Sequence, residues 1–353
     1  MSKAWAGNFF EDFHLGQRLR HATPRTATEG ERALYLALTG SRFALASSDE
    51  FARASGLPRA PLDDLLVFHL AFGRTVPDLS LNAVANLGYA ELVFGQPVYP
   101  GDTLATESEV IGLKQASAGD SGIVWVRSRA TNQRGEAVLS WVRWVLLRKR
   151  DKAALAPDTV VPALTARVAP QSLSLPAGLS FDRYDLALAG SPHRWGDYAV
   201  GETIDHRDGM TLEEAEHQLA TRLYQNTARV HFDQVLQQES RFGRRLVYGG
   251  HVISLARALS FNGLGNAQRI LAINAGTHAN PCFAGDTLYA WSEVLETVPL
   301  AGRSDAGLLR LLTLALKDRP ASSFPGGDPR PGPDGKRDPA VLLDLDYWVA
   351  LPA

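Results

Sequence analysis

A short stretch in the second half of the chain holds residues well suited to acid–base chemistry. His231 lies five residues after Asn226 and two before Asp233, and a neutral imidazole can activate water near neutral pH. Downstream, Gly250 and His251 open a strongly apolar segment. If that segment is a helix, the N–H groups at its start can stabilise negative charge on a carbonyl oxygen. The pattern therefore predicts acid–base chemistry beside a polarised carbonyl group.

Each of these residues also has an ordinary structural interpretation. A lone histidine between apolar residues is more often packed or exposed than catalytic, Asn226 is a suitable helix C-cap, and Asp233 is a suitable N-cap. His251 is equally consistent with an inert residue in the first helical turn. Because Asn226 is neutral, His231 would be the only base, and we expect activity to fall as the pH drops through ~6.5, the ordinary pKa of imidazole.

The elements that position these residues occur twice. The segment GDTLATESEV at 101–110 returns as GDTLYAWSEV at 285–294, an offset of 285 − 101 = 184 residues. Residues 15–17, Leu-Gly-Gln, return as Val-Gly-Glu at 200–202, at nearly the same offset. A near-constant offset indicates duplication of one fold.

Both copies predict the same order of elements: a strand, a capped helix, a helix apolar on nearly all sides, and antiparallel strands. A helix that is apolar on nearly all sides is buried in the fold. In the first copy, a strand is predicted at 13–26, followed by a capping box Thr28-x-x-Glu31 that opens a helix to about Gly40. A buried helix at 65–72 and a hairpin turn at 132–135 come after it. In the second they are a strand at 198–206, a capping box Thr211-x-x-Glu214 with a helix to about Asn226, and a buried helix at 252–261.

A buried helix wrapped by one curved antiparallel sheet is the hot-dog architecture, so two copies predict an α+β tandem double hot dog. We predict a first hot dog over 1–150, a proline-rich linker over 151–180, and a second hot dog with the active site over 181–353. The Pro/Gly-rich stretch 320–339 predicts a long, mobile hairpin insertion.

The matching positions of the first copy predict a catalytically silent half. Carboxylates at the start of its buried helix would stabilise the helix but repel an enolate oxygen. Ser41, Arg42 and Ala46 replace Asn226, Thr227 and His231, and Asp63-Asp64 replaces Gly249-Gly250.

Composition narrows the classes of function. The 36 basic and 38 acidic residues are spread along the 353-residue chain, which argues against nucleic acid or an anionic membrane as partner. No apolar run approaches the roughly 20 residues that span a bilayer, no secretory signal is apparent, and the single Cys282 cannot form an intramolecular disulfide. We therefore expect a cytoplasmic protein. Because no glycine-rich nucleotide loop or paired His/Cys spacing occurs, we expect neither a metal nor a cofactor.

Residues 223–233, LYQNTARVHFD, resemble the Gly-Asp-x-Asn-Pro-aliphatic-His signature of the MaoC-like (R)-specific enoyl-CoA hydratases. In this alignment His231 takes the place of the catalytic histidine and Asn226 that of the catalytic aspartate, while Ala228 and Arg229 replace the Asn-Pro pair. The segments GNFFEDF, SRFALASSD, RAPLDDLLVFH, NAVANLGYA and LVYGGHVISLARALSFNGL resemble more closely the branch of this family that hydrates mesaconyl-CoA. That resemblance covers essentially the full length.

The resemblance implies a reversible hydro-lyase that adds water to mesaconyl-CoA to give β-methylmalyl-CoA, with no cofactor beyond the CoA of the substrate. It implies His231, Asn226 and Asp233 as catalytic residues and the start of the buried helix, at Gly250 and His251, as the site of the thioester oxygen. We also expect a homo-oligomer, such as a dimer.

The substrate's free carboxylate should meet an arginine, and the candidates are Arg229, Arg42 and Arg25. Two other functions stay open. An acyl-CoA thioesterase would use Asp63 or Asp64 to activate water, and a non-catalytic acyl-CoA-binding module would leave His231 away from any cleft.

Overall fold

A computed structural model describes residues 3–323 and 337–353, and within them ten antiparallel strands form one sheet. The strands are β1 (Arg18–Thr26), β2 (Ala83–Phe94), β3 (Thr103–Gln115), β4 (Ser121–Thr131), β5 (Ala137–Arg148), β6 (Thr203–Thr211), β7 (Arg269–His278), β8 (Thr287–Pro299), β9 (Ala306–Lys317) and β10 (Val341–Pro352). The helices are α1 (Glu29–Thr39), α2 (Ala44–Ser47), α3 (Asp49–Ala54), α4 (Asp64–Leu79), α5 (Leu186–Ala189), α6 (Glu214–Leu223), α7 (Gln234–Gln238), α8 (Gly249–Leu259) and α9 (Phe261–Leu264).

The sheet joins the two halves of the chain edge to edge. Its strand order is β1-β3-β4-β5-β2-β7-β10-β9-β8-β6, so each half supplies five strands. At the seam β2 pairs with β7, with Tyr89 opposite Gly276 and Leu92 opposite Ile273. Each five-strand set packs against its own buried helix, α4 or α8. The predicted tandem double hot dog is therefore confirmed, while the exact domain boundaries stay a prediction.

One capping prediction is confirmed and the other is wrong. Thr28 and Glu31 form a reciprocal capping box at the start of α1, with N···O distances of 2.8 and 3.2 Å, and Gly40 ends the helix at φ 63°. In the second half, Thr211 still pairs with Thr287 in the sheet. The first helical residue is Glu214, so the N-cap is the preceding Glu213.

The helix after Glu213 also ends earlier than predicted. Its last residue is Leu223, followed by a C-cap at Tyr224, so Asn226 lies in the loop beyond the helix. Thr211 is the last residue of β6 and pairs with Thr287, as Thr26, the last residue of β1, pairs with Thr103. Thr211 therefore corresponds to Thr26, and the residue that corresponds to Thr28 is the N-cap Glu213, so the predicted capping box was displaced by two residues.

Both apolar helices are buried, as predicted, and they contribute to one core shared by the halves. Leu65 of α4 and Leu92 of β2 belong to the same cluster as Ile253 of α8 and Ile273 of β7. Burying each such side chain contributes about 1.5–3 kcal/mol. The shared core therefore makes the relative position of the halves part of the folded structure.

Turns and connections complete the two hot dogs. The predicted turn at 132–135 joins β4 to β5, with Gly135 at φ 77°. In the connection over 151–180, Val160 forms an isolated bridge with Leu113. The predicted insertion at 320–339 lies between the paired strands β9 and β10, but its central residues 324–336 fall outside the described part. No helix in 3–323 or 337–353 is long and apolar enough to cross a membrane.

Candidate active site

His231 lies on a 3-10 turn, Arg229–His231, in the loop between α6 and α7. Its Nδ1 lies 3.0 Å from the carbonyl oxygen of Leu246. Because a carbonyl only accepts, Nδ1 carries the proton and Nε2 keeps its lone pair. Burial lowers the pKa of His231 to about 4. The imidazole is therefore neutral at physiological pH and presents Nε2 as a base.

Two hydrogen bonds hold the loop in place. The side chain of Gln218 on α6 donates to the backbone carbonyl of His231 over 2.5 Å. The backbone N–H of Leu246 donates to Val230 over 3.0 Å. The position of the imidazole is thus fixed from two sides, by α6 and by the segment that leads into α8.

The N-terminus of α8 is enclosed by rings. The Tyr248 ring packs against His231, with ring centroids 5.5 Å apart. A Cβ on Gly249 would lie 2.4 Å from the His278 ring, and one on Gly250 would lie 2.5 Å from the Tyr248 ring. Glycine is required at both positions because the rings approach the backbone closely. This close approach places the positive end of α8 beside the His278 imidazole and the Tyr248 ring, on which His231 packs.

His278 and Tyr89 belong to the site, although nothing in the local sequence marks them. Tyr89 comes from β2 of the first half, and its hydroxyl lies 3.3 Å from Nε2 of His278. Since Tyr89 pairs with Gly276 across the seam, His278, two residues further along β7, lies on the same face. Burial lowers the pKa of His278 to about 4, with His231 contributing in the same direction. Only the pairing of β2 with β7 could have identified these two residues.

A buried polar cluster lies between α4 and α8. Nε2 of His69 lies 2.8 Å from Oγ of Ser254, and the Tyr35 hydroxyl donates to the same Oγ over 2.9 Å. The His69 ring also packs on Tyr224 at 4.4 Å between centroids. His69 is fully buried, and its Nδ1 has no hydrogen-bond partner in the described residues.

The other residues singled out from the sequence around His231 have specific structural contacts. Oδ1 of Asn226 accepts from the N–H of Ala228 over 3.0 Å, and Asn226 lines a cavity. Asp233 caps α7 by accepting from the N–H of Leu236 over 3.0 Å.

Gly250 and His251, the two residues predicted at the helix start, differ in whether the backbone N–H group is free to bind a substrate. The N–H of His251 already donates to the carbonyl of Tyr248 over 2.9 Å, and its side chain pairs with Glu216. The first N–H groups of a helix have no intrahelical acceptor, and in α8 these belong to Gly249 and Gly250. Those two groups are therefore better placed as donors than the N–H of His251.

Each of the three predicted arginines is either paired with other groups or exposed to solvent. Arg25 forms an ion pair with Glu31 and donates to the carbonyl of Leu223 over 2.6 Å. Arg42 is exposed and covers the Phe261 ring at 4.4 Å. Arg229 is exposed on the loop.

A cavity of about 620 Å³ lies between the halves, near Asn226. Arg74 of α4 lines it and donates to the carbonyl of Thr23 over 3.1 Å. The volume lies in the range of small-molecule sites. The lining residues include Thr23, Gly73, Arg74 and Pro77 from the first half and Gln218, Asn226, Thr227 and Phe232 from the second.

The matching positions of the first half carry a carboxylate at the helix start. Matching positions in the two halves differ by 184 or 185 residues, since 285 − 101 = 184 and 201 − 16 = 185. Ala46 replaces His231. Because α4 begins at Asp64 and α8 at Gly249, Asp64 corresponds to Gly249 and Asp63 to Tyr248, so the predicted alignment of Asp63-Asp64 with Gly249-Gly250 was wrong by one residue. The Asp64 carboxylate forms an ion pair with Arg269 at 2.7 Å and accepts from the N–H of Ile270. The space beside these residues is only about 10 Å³.

The fold, with a histidine-bearing loop above a helix N-terminus, defines a MaoC-like double hot-dog protein. The solved structure of a MaoC domain protein dehydratase from Chloroflexus aurantiacus superposes with a TM-score of 0.96 at 60% identity, over 100% of this chain and 99% of that one. A mesaconyl-CoA hydratase of Cereibacter sphaeroides is 63% identical over 352 residues, and a β-methylmalyl-CoA dehydratase of Chloroflexus aurantiacus is 60% identical over 351, each over 99% of both chains. A family model described as mesaconyl-CoA hydratase matches residues 2–327. The chain belongs to the mesaconyl-CoA hydratase family.

Proposed function

We propose that this protein catalyses the reversible hydration of mesaconyl-CoA to β-methylmalyl-CoA. Its family membership supports an acyl-CoA substrate and a hydro-lyase reaction. The observation that carries the proposal is the free Nε2 of His231 beside the N-terminus of α8, in a chain whose full length matches this family.

The reaction needs a base for water, a proton for the α-carbon and donors for the thioester oxygen. Nε2 of His231 removes a proton from water as the water oxygen bonds to the β-carbon, and the electron pair of the double bond moves to the thioester oxygen. The N–H groups of Gly249 and Gly250 donate to that oxygen. The imidazolium of His231 then gives its proton to the α-carbon, which restores both the thioester and the neutral base.

Burial of His231 suits the second step. A pKa of about 4 makes the imidazole a weak base but makes its protonated form a strong acid toward the α-carbon. Asn226 lines the cavity and holds its loop through the N–H of Ala228, so we assign its amide to positioning water or substrate. Asp233 supports the same loop as the cap of α7.

The scheme uses only residues of the protein and the CoA of the substrate. We place the reaction in the cytoplasm and in a homo-oligomer, such as a dimer, which the enzyme class supports. These two assignments are separable from the chemistry and do not affect its test.

The thioesterase alternative would use Asp63 or Asp64. Asp63 accepts from the N–H of Leu65, and Asp64 is bound by Arg269 and Ile270. The adjoining space of about 10 Å³ is too small for an acyl thioester. These observations disfavour hydrolysis at the start of α4.

The direct test follows the absorbance of the enoyl-thioester of mesaconyl-CoA while a thiol reagent reports free CoA. Hydration removes the conjugated double bond without releasing thiol, and the reverse reaction from β-methylmalyl-CoA restores it. Release of thiol would instead establish hydrolysis. A protein that binds the substrate and changes neither signal would be a non-catalytic binding module.

A further inference from the structure

Arg143 on β5 is a fully buried cation without a counterion. Its exposed fraction is 0%, and its guanidinium carbon lies 4.2 Å from the centroid of the Phe72 ring. Nη2 donates to the hydroxyls of Thr75 and Ser80 over 2.9 and 3.3 Å. Nε and Nη1 have no hydrogen-bond partner, and no carboxylate pairs with Arg143, within 3–323 and 337–353. Burial lowers the pKa of Arg143 to about 10, which still leaves it charged at neutral pH.

A buried charge without a partner is costly in a folded protein. Replacement of such a residue by an apolar one of similar size commonly raises stability. A charge of this kind therefore suggests a function, and unpaired donors at a candidate active site indicate an anion that arrives with the ligand.

The position of Arg143 links it to the candidate active site. Arg143 lies opposite Tyr89 in the β2–β5 ladder, and Tyr89 contacts His278. The Phe72 ring that Arg143 covers also packs on Tyr248, with ring centroids 6.0 Å apart, and Tyr248 precedes α8 and packs on His231. The Tyr248 hydroxyl is itself buried and without a partner in the described residues. Arg143 and Tyr248, each with unpaired donors, thus contact the same ring.

The duplicated fold supplies an internal comparison. In the first half, Asp63 precedes the buried helix α4; burial raises the pKa of its carboxyl, and the charges of Arg257 and Arg269 oppose that rise. Arg257 also stacks on a phenylalanine, Phe43, at 3.6 Å. The counterpart of Asp63 in the second half is Tyr248, since 248 − 63 = 185. In the first half, the chain itself supplies a carboxylate, Asp63, near an arginine. In the candidate active site, no carboxylate of the described residues pairs with Arg143.

We infer that Arg143 binds the free carboxylate of the substrate's acyl group, with the Tyr248 hydroxyl as a second donor, and so selects acyl-CoA thioesters that end in a carboxylate. The identity of that acyl group rests on the proposed function, whereas the unpaired guanidinium does not. Arg143 would orient the acyl chain so that its β-carbon faces Nε2 of His231.

The test compares two saturated thioesters that cannot be hydrated. One is 2-methylsuccinyl-CoA, which keeps the carboxylate, and the other is 2-methylbutyryl-CoA, which carries a methyl group in its place. Calorimetric titration should show that the wild-type protein binds the first at least roughly 30-fold more tightly, as expected for a buried charge pair. Arg143→Met should abolish this preference and leave the affinity for 2-methylbutyryl-CoA within about threefold.

The melting temperature of the ligand-free protein is a second measurement. It distinguishes an arginine kept for ligand binding from one that stabilises the fold. Arg143→Met should melt at a higher temperature than the wild type, because an unpaired buried charge is removed. The matched control is Arg257→Met, which removes the other buried, ring-stacked arginine and one of the two cations that favour the Asp63 carboxylate. It should melt at a lower temperature. Arg143→Lys should keep the charge but lose most of the preference.

The outcomes separate this inference from the proposed function. An Arg143→Met protein that keeps the preference, unfolds or melts lower like Arg257→Met overturns the role of Arg143. Equal binding of both analogues by a wild-type protein that hydrates mesaconyl-CoA also overturns it while leaving the function intact. An Arg143-dependent preference in a protein that does not hydrate mesaconyl-CoA supports the inference and refutes the function.

Discussion

At the scale of single residues, the proposed chemistry depends on the environment of His231 rather than on a paired carboxylate. The position that MaoC-like hydratases give to an aspartate holds Asn226, whose Oδ1 accepts from a backbone N–H. The sequence was sufficient to identify His231 and Asn226 as candidates. It was not sufficient to identify Leu246, which fixes the tautomer through its carbonyl, or His278, which comes from a distant strand.

The pH dependence of the reaction should follow the lowered pKa of His231. Only the neutral imidazole is a base, so activity is present above the folded pKa and is lost as the pH falls through about 4. The expectation from the sequence, a loss near ~6.5, neglected burial. We expect kcat/KM for mesaconyl-CoA to stay nearly constant between about pH 6 and 7.5.

The control for that experiment is circular dichroism at each pH. Burial also lowers the pKa of His206 and of His278, each to about 4, while the unfolded chain takes up protons near ~6.5. Folding stability therefore decreases as the pH falls from about 6.5 toward 4. A decline in activity centred near 6.5, with the circular dichroism unchanged, would contradict the assigned environment of His231.

Asn226→Asp tests the positioning role of the amide. Aspartate can still accept from the N–H of Ala228, so the loop should keep its fold. The new charge would repel the substrate's carboxylate, and the amide donor would be lost. Turnover of mesaconyl-CoA should fall more than tenfold, over ~1.4 kcal/mol of transition-state stabilisation.

An uncharged enoyl thioester, 2-methylbut-2-enoyl-CoA, is the matched substrate for this variant and should lose less activity. If Asn226→Asp and the wild type have equal activities on both substrates, Asn226 has only a structural role in the loop.

At the scale of elements, the N-terminus of α8 is as important as the loop above it. The sequence predicted this buried helix and the glycines at its start, because apolar residues run almost without interruption after 249–251. The rings that surround those glycines were not predictable, since His278 reaches Gly249 only through the pairing of strands from different halves. The wrong capping box at Thr211 has a different cause: Thr211 ends β6 as Thr26 ends β1, so its apparent match to Thr28 was displaced by two residues.

Gly249→Ala should separate the role of this helix start from general helix stability. A Cβ there would lie 2.4 Å from the His278 ring, so the ring must move away from the helix N-terminus. We expect kcat for mesaconyl-CoA to fall more than tenfold in a folded protein.

Gly30→Ala is the matched control, a glycine near the start of α1 whose added Cβ would have its nearest neighbour at 3.7 Å. It should keep full activity and gain up to ~1 kcal/mol in stability, the usual advantage of alanine over glycine in a helix. Unchanged kinetics in Gly249→Ala would show that the space beside His278 is not used by the substrate.

At the scale of the whole molecule, the internal repeat made the duplicated fold predictable, because the GDTL segments fall on matching strands β3 and β8. The seam between the halves was not predictable, since neither β2 nor β7 carries a signal for its partner. The consequence of that seam concerns the site: Tyr89 of the first half reaches His278 in the candidate site of the second. The first half is thus a structural component of the candidate site.

Because the two halves share one core and one sheet, they should unfold together. Differential scanning calorimetry should show a single transition with equal calorimetric and van't Hoff enthalpies. Ile273→Ala at the seam, where Ile273 faces Leu92, should shift that whole transition downward, since such core truncations cost about 2–5 kcal/mol. Two resolved transitions, only one of which moves in Ile273→Ala, would contradict the shared core.

The central claim, addition of water to an enoyl-CoA by His231 of the second half, is tested most directly by isotope labelling. Mesaconyl-CoA is incubated with the protein in water enriched in oxygen-18, and the products are analysed by mass spectrometry. The claim predicts an intact CoA thioester with one oxygen-18 atom in its new hydroxyl group. His231→Ala should form it at least ~10²-fold more slowly, while His193→Ala, which alters an exposed histidine, should match the wild type. Oxygen-18 in a free acid released with CoA, or equal rates for His231→Ala and the wild type, would contradict the claim.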